Sequence, residues 1–140
     1  MSLLVATRGL PGSGKTTRAR LWVAESPRTR CRVNRDDFRV MFHAMRFSGM
    51  PECERAVTEA QYPVIRALLT AGFDVVSDDT WLNEEQFQVL TTLADNVGAD
   101  VEVWDMRDVL PDVCIERDAA RGALVGSEAI IDMYRRYIHE

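Results

Sequence analysis

Gly9-Leu10-Pro11-Gly12-Ser13-Gly14-Lys15-Thr16 satisfies the pattern G-x-x-x-x-G-K-[ST] at every defined position. Each residue type has a physical task there. Glycines let successive backbone N–H groups turn inward around phosphate oxygens, a lysine reaches the outer phosphates of a polyphosphate, and a threonine hydroxyl can ligate Mg²⁺. A glycine-rich turn can match by accident, so the flanks decide. The stretch follows an apolar run, Leu3-Leu4-Val5-Ala6, and leads into a helix-compatible segment, Thr17 to Ala24. Strand, loop and helix in that order are the setting in which such a loop cradles phosphates. Gly9, Gly12, Ser13, Gly14, Lys15, Thr16 and Thr17 are therefore the expected nucleotide-binding residues, with Thr16 the expected metal ligand.

Outward from the loop, short apolar runs alternate with longer amphipathic stretches. This pattern predicts a three-layer α/β domain with a central parallel sheet of about four strands and helices on both faces. The strands are expected at Leu3 to Thr7, Arg30 to Asn34, Phe73 to Ser77 and Asp100 to Met106. Helices are expected from Lys15 to Ala24, from Asp36 into the forties, and from about Cys53 to Thr70. Three more are expected from Glu84 to Asn96, from about Pro111 to Arg121 and from Ser127 to Ile138. Pro63 lacks an N–H and is expected to kink or split the third helix. Ala71-Gly72 and Val97-Gly98 place glycine where a helix stops before a strand.

Composition narrows the class further. The 140 residues are 46% hydrophobic and 28% charged, as in an ordinary folded domain, and the length predicts a single domain over residues 1–140. No apolar run approaches the ~20 residues needed to span a bilayer, so a cytoplasmic location with no membrane partner is expected. Cys31, Cys53 and Cys114 are odd in number and widely spaced, which reads as indifferent or buried thiols. The net charge of −5 argues against coating nucleic acid by bulk electrostatics while leaving a local basic channel open. Lysine occurs once, inside the loop.

Phosphoryl transfer to a hydroxyl needs a carboxylate for the proton, cations on the migrating group and a seat for the acceptor. Asn34-Arg35-Asp36-Asp37-Phe38-Arg39 follows the second expected strand, at the sheet edge where ligands bind in open α/β folds. Asp36 and Arg39 would then share a helix face and point into one cleft. The same residues also suit plain helix capping, with Asp36 as cap, Asp37 at the dipole end and Arg39 a surface partner. Asp79 closes the third apolar run and suits a water-mediated metal contact or the orientation of acceptor groups, with Asp78 its rival. Arg117 and Arg121 lie four apart, ahead of Gly122; Glu116 and Asp118 beside them would also make local salt bridges on an exposed helix. Gly122 and Gly126 bracket a segment that could hinge. His43 and His139 have no partner pattern and read as surface residues.

Gly-Leu-Pro-Gly-Ser-Gly-Lys-Thr-Thr followed by Asn-Arg-Asp-Asp-Phe-Arg resembles the kinase domain of the bacteriophage and bacterial 5′-hydroxyl polynucleotide kinases. The resemblance continues through Asp79-Thr80-Trp81-Leu82-Asn83, similar to the family's Asp-Thr-Asn-Leu-Asn, and through Arg117 and Arg121 to Met133-Tyr134. It implies a P-loop NTPase-type fold with an arginine-bearing helical lid. It also implies ATP or another NTP as phosphoryl donor, Mg²⁺, and a 5′-OH RNA or DNA end as acceptor, in end repair. By the resemblance, Asp36 is the general base, Lys15, Arg117 and Arg121 neutralise the migrating phosphoryl group, and Arg39 holds the acceptor phosphate. Asp79, Thr80 and Trp81 complete the acceptor side. Trp81 stands where the family often has Asn, and its indole either stacks an acceptor base or fills the core. No Asp-x-Asp-x-Thr element occurs, so the chain is expected to be the kinase half alone, leaving 3′ processing or ligation to a separate phosphatase or ligase. The setting is a bacterial cell or phage-infected host. Rival readings are a P-loop kinase of a small metabolite or nucleoside, and a nucleotide-binding regulatory module without catalysis.

Overall fold

The computed structural model describes residues 2–46 and 49–139. Four parallel strands, β1 (Leu3–Arg8), β2 (Arg30–Val33), β3 (Asp74–Ser77) and β4 (Asp100–Asp105), form one sheet in the order β2-β3-β1-β4. The helices are α1 (Lys15–Glu25), α2 (Arg35–His43), α3 (Pro51–Thr70), α4 (Glu84–Asn96), α5 (Pro111–Ala120) and α6 (Ser127–Tyr137).

β1 is central and almost continuously buried, as a parallel strand covered on both faces must be. Its period of two sends Leu4 and Ala6 to one face and Val5 to the other. Leu4 and Ala6 join Ile65 and Leu69 of α3 and Leu90 and Leu93 of α4 in the main core. Val5 joins Val76, Trp104 and Ala19 of α1 on the opposite face. A third cluster ties the α5–α6 pair to the sheet's carboxyl end: Leu10 and Leu82, from the loops after β1 and β3, pack with Cys114 and Ile130. The α5–α6 pair is thus seated on the loops that follow β1 and β3.

Boundaries move where caps intervene. Asn34, expected to end a strand, instead caps α2, its side chain accepting from the Asp37 N–H at 3.0 Å. Pro63 does not split α3, which runs unbroken through it. The carbonyl deprived of its partner belongs to Glu59, an exposed residue, so water can satisfy it. His43 is half-buried rather than a surface residue, with Nε2 enclosed and unpartnered among the described residues. All three cysteines are free, Cys114 buried. Among the described residues no helix is long and apolar enough to cross a membrane.

Candidate active site

Leu10, fully buried, anchors the loop after β1, and the Ser13 N–H donates to its carbonyl at 3.1 Å. Gly12 and Gly14 sit at φ +84° and +99°, backbone that only glycine adopts freely. Gly12 is doubly constrained, since a Cβ there would lie 2.5 Å from the Cys114 carbonyl oxygen of α5. Gly9 is also confined, its virtual Cβ falling 2.7 Å from Ser13 Oγ. Gly14 caps α1, whose N-terminus has neither a side-chain cap nor an acidic first turn. The free N–H groups and the positive dipole end therefore face the cavity and suit an anion. Lys15 Nζ donates to the Leu10 carbonyl at 2.7 Å and to Ser13 Oγ at 3.4 Å. Burial pulls this amine down to about 8, against the opposing attraction of Asp78 and Asp79.

One cavity of about 1340 Å³ joins this cradle to residues of α2 and of the loop after β3. Lys15, Thr16 and Thr17 line it together with Asp36, Arg39, Asp79, Thr80, Arg117 and Arg121. Nine Lys and Arg side chains line it against five Asp and Glu, so a net-acidic chain carries a locally basic cleft. Such a cleft concentrates anionic ligands at short range.

Asn34 rather than Asp36 caps α2, so the capping explanation of Asp36 falls. Asp36 Oδ1 instead accepts from Arg39 Nη1 at 2.6 Å, one turn away. Glu54 of α3 grips the same guanidinium from its other edge, accepting from Nε at 2.8 Å and Nη2 at 2.6 Å. Three of the five guanidinium N–H groups are used in this way, and two remain for an anionic ligand. Asp36 Oδ2 makes no hydrogen bond among the described residues.

The end of β1 holds the loop after β3. Thr7 Oγ1 donates to the Asp79 carbonyl at 2.7 Å, the Gly9 N–H to the Thr80 carbonyl at 3.1 Å, and Arg8 Nε to the Trp81 carbonyl at 2.8 Å. Asp79 accepts from the Arg35 N–H at 3.0 Å and from Gln61 Nε2 at 2.7 Å. Burial pushes its carboxyl up to about 7, with the Arg35 N–H pulling the other way and Asp78 adding to the rise. Asp79 therefore ties the start of α2 and the middle of α3 to the loop after β3. Trp81 belongs to the core: it is 6% exposed, packs in the main cluster and donates from Nε1 to Ser77 Oγ at 2.9 Å. The stacking role considered for its indole gives way to packing, at the cost of a positive φ of 44°.

Asp78, the rival carboxylate, fits a metal better than Asp79 does. Its Oδ2 accepts from Arg32 Nε at 2.8 Å, while Oδ1 is buried with no hydrogen-bond partner among the described residues. A buried, unpaired carboxylate oxygen in the cavity that Thr16 lines has the hard-oxygen chemistry Mg²⁺ takes. Thr16 and Asp78 are the residues that would hold the ion. When bound, it would supply charge neutralisation at the phosphates.

On the lid, Arg117 Nη1 approaches the Gly12 carbonyl at 3.4 Å, and Arg121, the C-cap of α5, pairs with Asp118 at 2.9 Å. Asp118 is buried, not the exposed salt-bridge partner its sequence context suggested. Arg32, Glu54, Gln61 and Asp118 escape a reading for site residues because each serves a neighbour rather than a motif. Only Arg32 leaves a trace, a basic residue on alternate positions with Arg30 in an otherwise apolar strand.

A parallel sheet with a phosphate cradle at its switch point, a carboxylate–arginine pair beside it and an arginine-bearing lid define a P-loop kinase-type domain. Residues 4–138 match the AAA domain family, and the chain belongs to it. A chain in a structure described as the Pnkp1/Rnl/Hen1 complex is 28% identical with a TM-score of 0.72, over 83% of this chain and 38% of that one. A chain of the Pnkp1/Rnl/Hen1 RNA repair complex is 25% identical with a TM-score of 0.77, over 97% of this chain and 44% of that one. The Mycobacterium tuberculosis APS kinase CysC, in complex with AMPPNP and APS, is 20% identical with a TM-score of 0.67, over 87% of this chain and 70% of that one. The chain thus spans less than half the length of the RNA-repair chains it resembles.

Proposed function

We propose that this domain transfers the γ-phosphoryl group of ATP or another NTP to the 5′-hydroxyl of an RNA or DNA end. The observation that carries the reading is the Asp36–Arg39 pair, closed at 2.6 Å in the cavity that holds the phosphate cradle. Asp36 supplies the carboxylate that takes the hydroxyl proton as the oxygen attacks in line. Arg39, clamped by Glu54, offers its two remaining N–H groups to the phosphate that follows the terminal nucleoside. Lys15, Arg117 and Arg121 face the migrating group from the donor side. The likeness to chains of an RNA repair complex supports a nucleic-acid end as acceptor, with end repair and a ligase partner as its setting. The fold shared with APS kinase favours a second reading, a small-metabolite acceptor in the same cleft.

One acceptor panel separates the two. The protein is incubated with γ-labelled ATP, Mg²⁺ and a 5′-OH oligonucleotide, its 5′-phosphorylated twin or a free nucleoside. Label should enter the 5′-OH oligonucleotide alone, because a nucleoside has no phosphate for Arg39. Asp36→Asn should retain nucleotide binding and lose about 10²–10⁴ in turnover. Near-normal turnover in that variant removes the assigned base, and equal labelling of the nucleoside favours the metabolite reading.

A further inference from the structure

The turn between α5 and α6 is folded around one carboxylate. Asp118, on the last turn of α5, has a side chain only 2% exposed. Its Oδ1 accepts from Arg121 Nε at 3.0 Å, from Arg121 Nη2 at 2.9 Å and from the Val125 N–H at 3.2 Å. Its Oδ2 accepts from the Gly126 N–H at 2.8 Å and from Val125 at 3.3 Å. The backbone closes the same loop, with the Ala123 N–H donating to the Asp118 carbonyl at 2.8 Å. Gly122, Ala123 and Gly126 all take positive φ to make this wrap, and for Ala123, at +52°, the conformation is unfavourable. A five-residue segment that by composition could hinge is instead tied at both ends to one residue, its start to the Asp118 carbonyl through Ala123 and its end to the Asp118 carboxylate through Val125 and Gly126.

The consequence for Arg121 is geometric. Its Nε–Nη2 edge is fully spent on Asp118, which fixes the plane of the guanidinium. Nη1 and the second Nη2 hydrogen remain for another acceptor, and Arg121 lines the cavity that holds the phosphate cradle. Left to itself, an arginine at a helix C-cap next to glycine would sample many rotamers and lose that orientation.

We propose that Asp118 is a positioning residue for phosphoryl transfer: it seats Arg121 so that the guanidinium's free edge faces the phosphates, and it makes arginine, turn and the start of α6 move as one piece. The proposal rests on the reading of Arg121 as a phosphate-facing lid arginine. It predicts that the carboxylate acts on the reaction only through that arginine.

The test is a double-mutant cycle on the whole chain with Asp118→Asn, Arg121→Ala and the pair together. Asparagine keeps an oxygen for the Val125 and Gly126 N–H groups and removes the charge that holds Arg121, so the fold is better preserved than with alanine. ADP release is measured with a 5′-OH oligonucleotide and with water as acceptor, so that the result does not depend on the acceptor assigned above. Asp118→Asn should lower kcat about 10–100-fold with the nucleotide KM changed less than about threefold, a share of what a lid arginine supplies. In the Arg121→Ala background the same substitution should change kcat less than about twofold. An equal loss in both backgrounds overturns the proposal and leaves Asp118 a purely structural residue. Unchanged turnover in Arg121→Ala overturns the lid reading itself, and the proposal with it. Thermal melts of all four proteins show whether a loss of turnover reflects loss of fold.

Discussion

Lys15 is held near 8 by burial, and its ammonium donates to the Leu10 carbonyl and Ser13 hydroxyl rather than to a carboxylate. Binding a triphosphate exchanges those neutral acceptors for anionic oxygens, which favours the charged amine. In the free protein about a tenth of Lys15 is neutral at pH 7 and about nine-tenths at pH 9. Nucleotide binding at pH 9 must then begin by protonating most of the population, which weakens affinity about tenfold relative to pH 7, roughly 1.4 kcal/mol. The assay is a titration with a non-hydrolysable ATP analogue at pH 7, 8 and 9 and constant ionic strength. Calorimetry at pH 9 in buffers of differing ionisation enthalpy should register uptake of about 0.9 proton per nucleotide bound. Lys15→Met should bind weakly at every pH, with a flat profile and no such uptake. A wild-type affinity that stays constant from pH 7 to 9, or a pH slope that survives in Lys15→Met, would refute the reasoning.

Two other perturbations follow from the same cleft. Gly12→Ala places a methyl 2.5 Å from the Cys114 carbonyl at a φ of +84°, so it should lower the melting temperature by several degrees and abolish nucleotide binding; retained affinity would show that α5 does not fix the loop. Asp79 sits near 7 when folded against an ordinary 3.8, so between those values the folded state holds the extra proton and stability falls as pH rises, by at most about 1.4 kcal/mol per pH unit. Urea melts from pH 4.5 to 7.5 should find a shallower decline in Asp79→Asn than in the wild type, and parallel slopes would sink the assignment.

The cradle was legible because its chemistry is local. Backbone amides, one lysine and one threonine within eight residues need only the strand before and the helix after them. The inner strands β1 and β3 were legible for a similar reason, since burial on both faces turns a parallel strand into an apolar run, as in Leu3 to Ala6, whereas the edge strands β2 and β4 alternate apolar residues with charged ones. Local rules left alternatives open at positions where a neighbour supplied what the residue lacked. α3 runs through Pro63, whose missing N–H falls opposite the carbonyl of an exposed residue, Glu59. Asn34 took the cap that Asp36 could have filled and freed Asp36 for the cleft. Trp81 accepted a strained backbone because the main core had room for its ring.

The order of motifs along the chain determined a P-loop α/β domain and singled out Asp36, Arg39, Arg117 and Arg121 as its candidate chemical residues. Tertiary structure alone decided what holds them. Glu54 reaches Arg39 from another helix, Arg32 reaches from the neighbouring strand to one oxygen of Asp78 while the other has no partner among the described residues, and Asp118 gathers Arg121 and the lid turn. A carboxylate that steadies an arginine works through distance and burial, and neither quantity exists until the helices have packed.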